Sequence, residues 1–227
     1  MSRPATRSAR RAAALVAVLA TSALLGACSD DTSSSSTTTT AGSTSGASKI
    51  TISTKVSSEW KNLATCTIGP ETADPGGTPA KEGIDGVIDF GKQAQTHVES
   101  CVDYPVRPAI GGAHYPVWSN CGFYTSPVPE EVAVHDLEHG AVWIAFDPAL
   151  DQTELATIRA AAKSSTHVIA SPYPGLTDKV VMSAWSRQLR LSSADDPRFQ
   201  KFLDVYVQGD QTPELGAACS GGVGTPG

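Results

Sequence analysis

Val134-His135-Asp136-Leu137-Glu138-His139-Gly140 runs without a break into Ala141-Val142-Trp143-Ile144-Ala145-Phe146. The second half is an apolar run with β-branched and aromatic members, the pattern of a buried strand. The first half carries two histidines and two carboxylates between positions 135 and 139. If residues 130–139 form a short helix, His135 and His139 fall one turn apart on one face. Glu138 then lies nearly beside them, and Gly140 is the C-cap. A helix that delivers ligand-type side chains, followed at once by a core strand, makes this a mixed α and β chain.

The pattern continues downstream. Leu150, Leu155, Ile158 and Ala162 recur at helical spacing, with Thr153 and Glu154 near the start, so residues 150–163 read as a helix. Residues 167–170 read as a strand, 172–175 as a turn, and 180–185 as a further strand that 187–191 extends. Asp196-Pro197 opens a last helix over 198–207, with Phe199, Phe202, Leu203 and Tyr206 on one side. Upstream, Thr96-His97-Val98-Glu99 alternates as a half-buried strand does, and short strands are expected at 50–54 and 87–90. Residues 105–129 are a proline- and glycine-rich loop. A structureless loop that long inside a domain is functional or pinned covalently; Tyr115, Trp118, Phe123 and Tyr124 give it a small core of its own. The expectation is an α+β fold: a single small domain with a mainly antiparallel sheet and two helices, stapled by disulfides. There is no internal repeat and no glycine-rich phosphate loop.

The N-terminus reads as an address. Arg3, Arg7, Arg10 and Arg11 precede an apolar run over 12–25 that is too short to need reading as a membrane span. The run ends in Leu25-Gly26-Ala27-Cys28, which has the form of a bacterial lipobox. Residues 1–27 are therefore expected to be a lipoprotein signal peptide, with Cys28 taking a diacylglyceryl group and palmitate-type acyl chains. Residues 28–48 form a Ser/Thr-rich linker that buries nothing and is expected to be disordered, with a reach of roughly 25 Å. Residues 49–227 form the globular extracytoplasmic domain, lipid-anchored at the outer face of the cytoplasmic membrane. Removal of the four signal arginines leaves 13 of the 17 basic residues against 23 acidic ones, a net charge of −10. So acidic a domain is no nucleic-acid binder, and its membrane link is the lipid rather than a basic patch.

Four cysteines remain: Cys66, Cys101, Cys121 and Cys219. An even count in an exported chain implies two disulfides, with three connectivities open. Cys66–Cys101 with Cys121–Cys219 is favoured, because the second bridge would staple down the glycine-rich tail from Gly216 onward. A thiolate metal site is disfavoured, because no pair has Cys-x-x-Cys spacing.

Two imidazoles at i and i+4 are a common way to hold a zinc-type ion. His-x-x-Glu-His is also the order of inverted-motif zinc peptidases, with the glutamate as base, but no second helix offers the third ligand such an enzyme needs. Against the metal reading, either histidine serves equally well as a core residue bonded to a carbonyl. Asp136 is expected to be solvated, and Glu138 has Arg187 or Arg190 as alternative partners. His114, in a glycine-rich loop that can bend toward a bound group, is the best third ligand, and His97 the fourth. Four of the five histidines lie between 97 and 139, and that clustering favours a shared site; His167 is expected at a strand edge. Ser119 and Ser183 lack a nucleophile motif, and Trp118, Trp143 and Trp185 read as core.

Several blocks occur in order: Tyr104-Pro105, Gly111-Gly112-Ala113-His114-Tyr115-Pro116-Val117-Trp118, Cys121-Gly122-Phe123-Tyr124, Val134 to Val142, Ser171-Pro172-Tyr173-Pro174-Gly175-Leu176, Ala184-Trp185-Ser186-Arg187-Gln188 and Thr212-Pro213-Glu214. Over about residues 91–222 the chain thereby resembles the bacterial domain-of-unknown-function 3105 family. The resemblance implies exported or tethered proteins with one α+β domain and no assigned activity. It implies histidines at positions matching His97, His114, His135 and His139, a glutamate at Glu138, and a cysteine pair resembling Cys121 and Cys219. Cys66 and Cys101 lie outside that pattern.

Three functions follow as expectations. The first is a metal-binding module holding zinc or copper through His114, His135, His139, Glu138 and His97. The second is an envelope zinc-dependent hydrolase with Glu138 as base. The third is a structural or partner-binding module without metal. Neither an enzyme activity nor a protein partner is legible in the residues.

Overall fold

The computed structural model describes residues 48–63 and 66–227. The expected signal peptide, the lipidated Cys28 and all but the last residue of the linker lie outside the described residues.

The chain builds one seven-stranded sheet in the order β1-β2-β7-β6-β4-β5-β3. The strands are β1 (Thr78–Pro79), β2 (Ile88–Asp89), β3 (Gly122–Phe123), β4 (Val142–Phe146), β5 (Val168–Pro172), β6 (Val180–Ala184) and β7 (Arg187–Leu191). Pairing is antiparallel from β1 through to β4 and parallel from β4 through β5 to β3. The mainly antiparallel α+β fold is therefore as expected. The described residues hold three α-helices rather than two: α1 (Glu130–Glu138), α2 (Gln152–Ser164) and α3 (Pro197–Tyr206). The short helix over the histidine stretch is the added one.

β4 is buried along its whole length because both faces of the sheet are covered. Its side chains alternate between two cores. Val142, Ile144 and Phe146 pack with Leu155 and Ile158 of α2 and Phe199, Phe202 and Leu203 of α3. Trp143 and Ala145 face the opposite way, toward Val132, Ala133, Val134 and Leu137 of α1 and toward Tyr115 and Tyr124 of the long loop. So α1 lies on one face of the sheet and α2 and α3 lie on the other. Asp151 and Asp196 cap α2 and α3 by accepting from backbone N–H groups of the first turn.

The histidine helix ends where the sequence says it should. Gly140 N donates to Leu137 O and Ala141 N to Asp136 O, at 3.0 and 2.9 Å, with Gly140 at φ +90°. That is a Schellman closure around a left-handed glycine, and it turns the chain directly into β4.

Three expectations need correction. Residues 187–191 do not extend β6: the chain reverses at Trp185-Ser186, and β7 pairs antiparallel with β6, Ala184 opposite Arg187. No glycine or asparagine marks this turn. Ser186 takes φ +62°, held by tertiary bonds from its N–H to Ile110 O and from Phe90 N to its own carbonyl. Residues 50–54 form no strand, and residues 96–99 contribute only a single bridge, His97 with His114. Both cysteine pairs form as expected, Cys66–Cys101 and Cys121–Cys219, with Cα separations of 5.5 and 5.3 Å. The second ties positions 98 apart, a closure worth roughly 4–5 kcal/mol at most in the chain-entropy account.

Candidate metal centre

Helix α1 is the hub of the site, and its carboxylates position the loop that reaches over it. All nine of its residues are buried. Glu130 pairs with the Arg107 guanidinium and accepts from Ala109 N at 3.1 Å. Glu131 accepts from Val102 N at 3.0 Å. Asp136 accepts from Ser119 N at 3.1 Å and from Ser119 Oγ at 2.7 Å. Three acids thus pin a loop that forms few backbone bonds of its own. Asp136, expected to be solvated, is 0% exposed. Burial pushes its carboxyl well above the usual range, against the opposing donations from Ser119.

The pinned loop carries His114 onto α1, and a bridge brings His97 with it. His114 N donates to Thr96 O and Val98 N donates to His114 O, at 3.0 and 2.8 Å. His97, His114, His135 and Glu138 then offer ligand atoms that all lie within 4.8 Å of one another. His139 is outside that set but touches it, with its Nε2 3.0 Å from His135 Nε2.

Second contacts fix which nitrogen each imidazole presents. His114 Nδ1 lies 2.8 Å from Gly112 O, His135 Nδ1 2.7 Å from Tyr115 O, and His139 Nδ1 2.7 Å from Ala218 O. A carbonyl only accepts, so each Nδ1 carries the hydrogen and each ring turns its Nε2 inward. Metal-binding histidines are oriented by this arrangement. Burial holds His135 down at about 4, and the neighbouring His139, His114 and His97 push the same way against the Tyr115 bond. Its ring is accordingly neutral, and able to ligate, at neutral pH.

Glu138 Oε2 lies 2.9 Å from His114 Nε2 and 3.7 Å from His97 Nε2. Yet His114 Nε2, fully buried, has no hydrogen-bond partner: with the hydrogen on Nδ1, the nitrogen and the carboxylate oxygen are both acceptors. A buried nitrogen left without a donor or acceptor is costly, and a cation in front of it removes that cost. The separations of 2.9, 3.0 and 3.7 Å bracket the edges, about 3.3 Å, of a tetrahedral ion with bonds of about 2.0–2.1 Å. The donor set fits a metal.

Aromatic rings close the surroundings. His97 stacks on His135 at 5.0 Å. Trp118 lies 5.6 and 5.2 Å from His135 and His139, and Trp185 6.1 Å from His114. Trp143 and Trp185 are core, as expected, whereas Trp118 is only half-buried and packs on the site. His97 opens the cluster to solvent, with 48% of its side chain exposed against 3% for Glu138.

The alternative partners for Glu138 are engaged elsewhere. Arg187 pairs with Glu82 and Asp89, and Arg190 with Glu71 and Asp178. His167 sits just before β5, away from the cluster, with its Nε2 2.9 Å from Ala217 O. Cys66 and Cys101 lie near Glu131, and Cys121 and Cys219 near Asp136, but all four sulfurs are in disulfides and are not thiolate ligands. One neighbouring acid was not singled out from sequence as a site residue: Glu214, whose Oε2 lies 3.4 Å from His139 Nε2. It sits 75 positions beyond His139 on the C-terminal tail, with no periodicity to connect them.

A family model described as "protein of unknown function (DUF3105)" matches residues 97–221. The match spans all four clustered histidines, Glu138 and Glu214. No curated protein and no solved structure matches the chain.

Proposed function

The chain belongs to that family of unknown function, and from this premise we propose that it is a lipid-anchored extracytoplasmic domain that binds a transition metal through His97, His114, His135, Glu138 and His139. The observation that carries the reading is the common orientation of three buried histidines. Each commits its Nδ1–H to a backbone carbonyl; His114 and His135 turn their Nε2 into one small volume with Glu138, and His139 Nε2 adjoins it, 3.0 Å from His135 Nε2. A histidine with a purely structural role has no need of an unsatisfied inward nitrogen, as at His114.

The donors are imidazoles and a carboxylate, with no sulfur. That set suits zinc(II) or copper(II) better than copper(I), which prefers thiolates and thioethers, or calcium and magnesium, which prefer all-oxygen shells. Glu138 acts here as a ligand. At 2% exposed and in contact with His114, it does not stand clear of the ligands as the base of a zinc hydrolase would.

The test is metal analysis of the domain purified without a histidine tag, together with its melting temperature before and after added zinc or copper. The reading expects bound metal and a rise in melting temperature. Metal-free protein whose melting temperature neither ion moves would leave the cluster with a structural role only.

A further inference from the structure

We propose that the cluster holds two metal ions, and that Glu214 is a ligand of the second. This rests on the metal-binding reading of the cluster and adds a site to it.

The donors fall into two sets of the same composition. In the first, His97 and His114 share Glu138, at 3.7 and 2.9 Å from its Oε2. In the second, His135, whose ligand atom also lies within 4.8 Å of those of the first set, meets His139 at 3.0 Å between their Nε2 atoms, and Glu214 Oε2 lies 3.4 Å from His139 Nε2. Two histidines and one carboxylate are a set that holds one divalent first-row ion and leaves positions open. Six donor side chains are more than a single tetrahedral ion accepts, and His139 stands outside the group whose ligand atoms converge within 4.8 Å.

The contact between His135 and His139 requires a positive charge. Both rings give their Nδ1–H to carbonyls, of Tyr115 and Ala218, at 2.7 Å each. In the neutral rings two Nε2 lone pairs therefore face each other at hydrogen-bond distance with no hydrogen between them. A cation bound by both nitrogens and by the Glu214 carboxylate resolves this and uses all three donors. A proton on one ring would resolve it too, and the second set would then hold no metal.

Glu214 is delivered to this place by the fold. Its N–H donates to Glu138 O at 3.0 Å, in the last turn of α1. The tail on either side is fastened by Gln208 N to Gly140 O and by the Cys121–Cys219 disulfide. The Glu214 side chain is 53% exposed, so the second position faces solvent.

The experiment is equilibrium dialysis of untagged, metal-stripped protein against manganese(II) or cobalt(II), on the native chain and on Glu214→Gln. Metal per chain is counted, and the manganese form is examined by electron paramagnetic resonance. The expected result is two ions per chain, spin-coupled, falling to one uncoupled ion in Glu214→Gln. One ion in the native chain, unchanged by Glu214→Gln, overturns the second site and leaves the first. Two ions in both proteins overturns the role of Glu214. No ion in either, with zinc(II) dialysed in parallel, overturns the metal reading itself. Because Glu214 is a half-exposed tail residue, its substitution leaves the core intact, and melting temperature checks this directly.

Discussion

Asp136 stands one position from a proposed ligand and does none of the ligation. Its two oxygens accept from Ser119 N and Ser119 Oγ, with Cys219 Sγ 3.6 Å away. Truncation to alanine strands a buried backbone N–H, a loss of about 1–3 kcal/mol. Asparagine keeps one acceptor for Ser119 N and offers an amide that the Ser119 hydroxyl can accept. Urea denaturation is therefore expected to find Asp136→Ala destabilised by that amount and Asp136→Asn by clearly less. Equal losses would show that the charged carboxylate, rather than its hydrogen bonding, is what the fold requires. At this scale the sequence was half legible. The spacing of His135, Glu138 and His139 declared a shared face, and the crowding of histidines between 97 and 139 pointed to His114 and His97. Nothing local declared Glu130, Glu131 and Asp136 as loop anchors. A carboxylate is buried only when donors reach it, and here the donors are backbone groups of residues 102–119, supplied by the tertiary fold.

At the scale of elements, the junction of α1 with β4 decides the site. Gly140 closes the helix at φ +90°, and a Cβ built there would stand 2.9 Å from the Thr212 side chain. Gly140→Ala thus combines left-handed backbone strain with a clash against the tail that presents Glu214. The expected loss exceeds about 1 kcal/mol, read from the urea midpoint, and metal content should fall with it. A variant as stable as the native chain would mean that the tail yields freely and is no part of the site. This junction was legible because a buried strand following a glycine leaves few alternatives. The β6–β7 reversal was not, since Ser186 at φ +62° is held by Ile110 and Phe90, partners that lie far away in sequence. Two-residue strands such as β1 and β3 are too short to carry a periodicity.

For the whole molecule, an acidic domain is fastened at its C-terminal tail by a disulfide and is expected to be tethered at the other end by lipid. An anchor at Cys28, as proposed, predicts that fatty-acid label is incorporated into the chain in cells and that Cys28→Ala moves the domain from the membrane to the soluble fraction. Label or membrane retention that survives Cys28→Ala would contradict it. Within the domain, sheet, helix, loop and tail all bear on one small volume. β4 supports α1, α1 pins the loop carrying His114, and the Cys121–Cys219 bridge holds the tail whose Ala218 carbonyl orients His139.

The measurement that bears most directly on this arrangement is the metal content of the untagged domain beside that of His114→Ala, with melting temperature recorded on both. The account predicts bound transition metal in the native chain, less metal in His114→Ala, and a melting temperature that metal raises more in the first protein than in the second. It would be contradicted by a native chain that carries no metal and whose melting temperature added zinc or copper leaves unchanged.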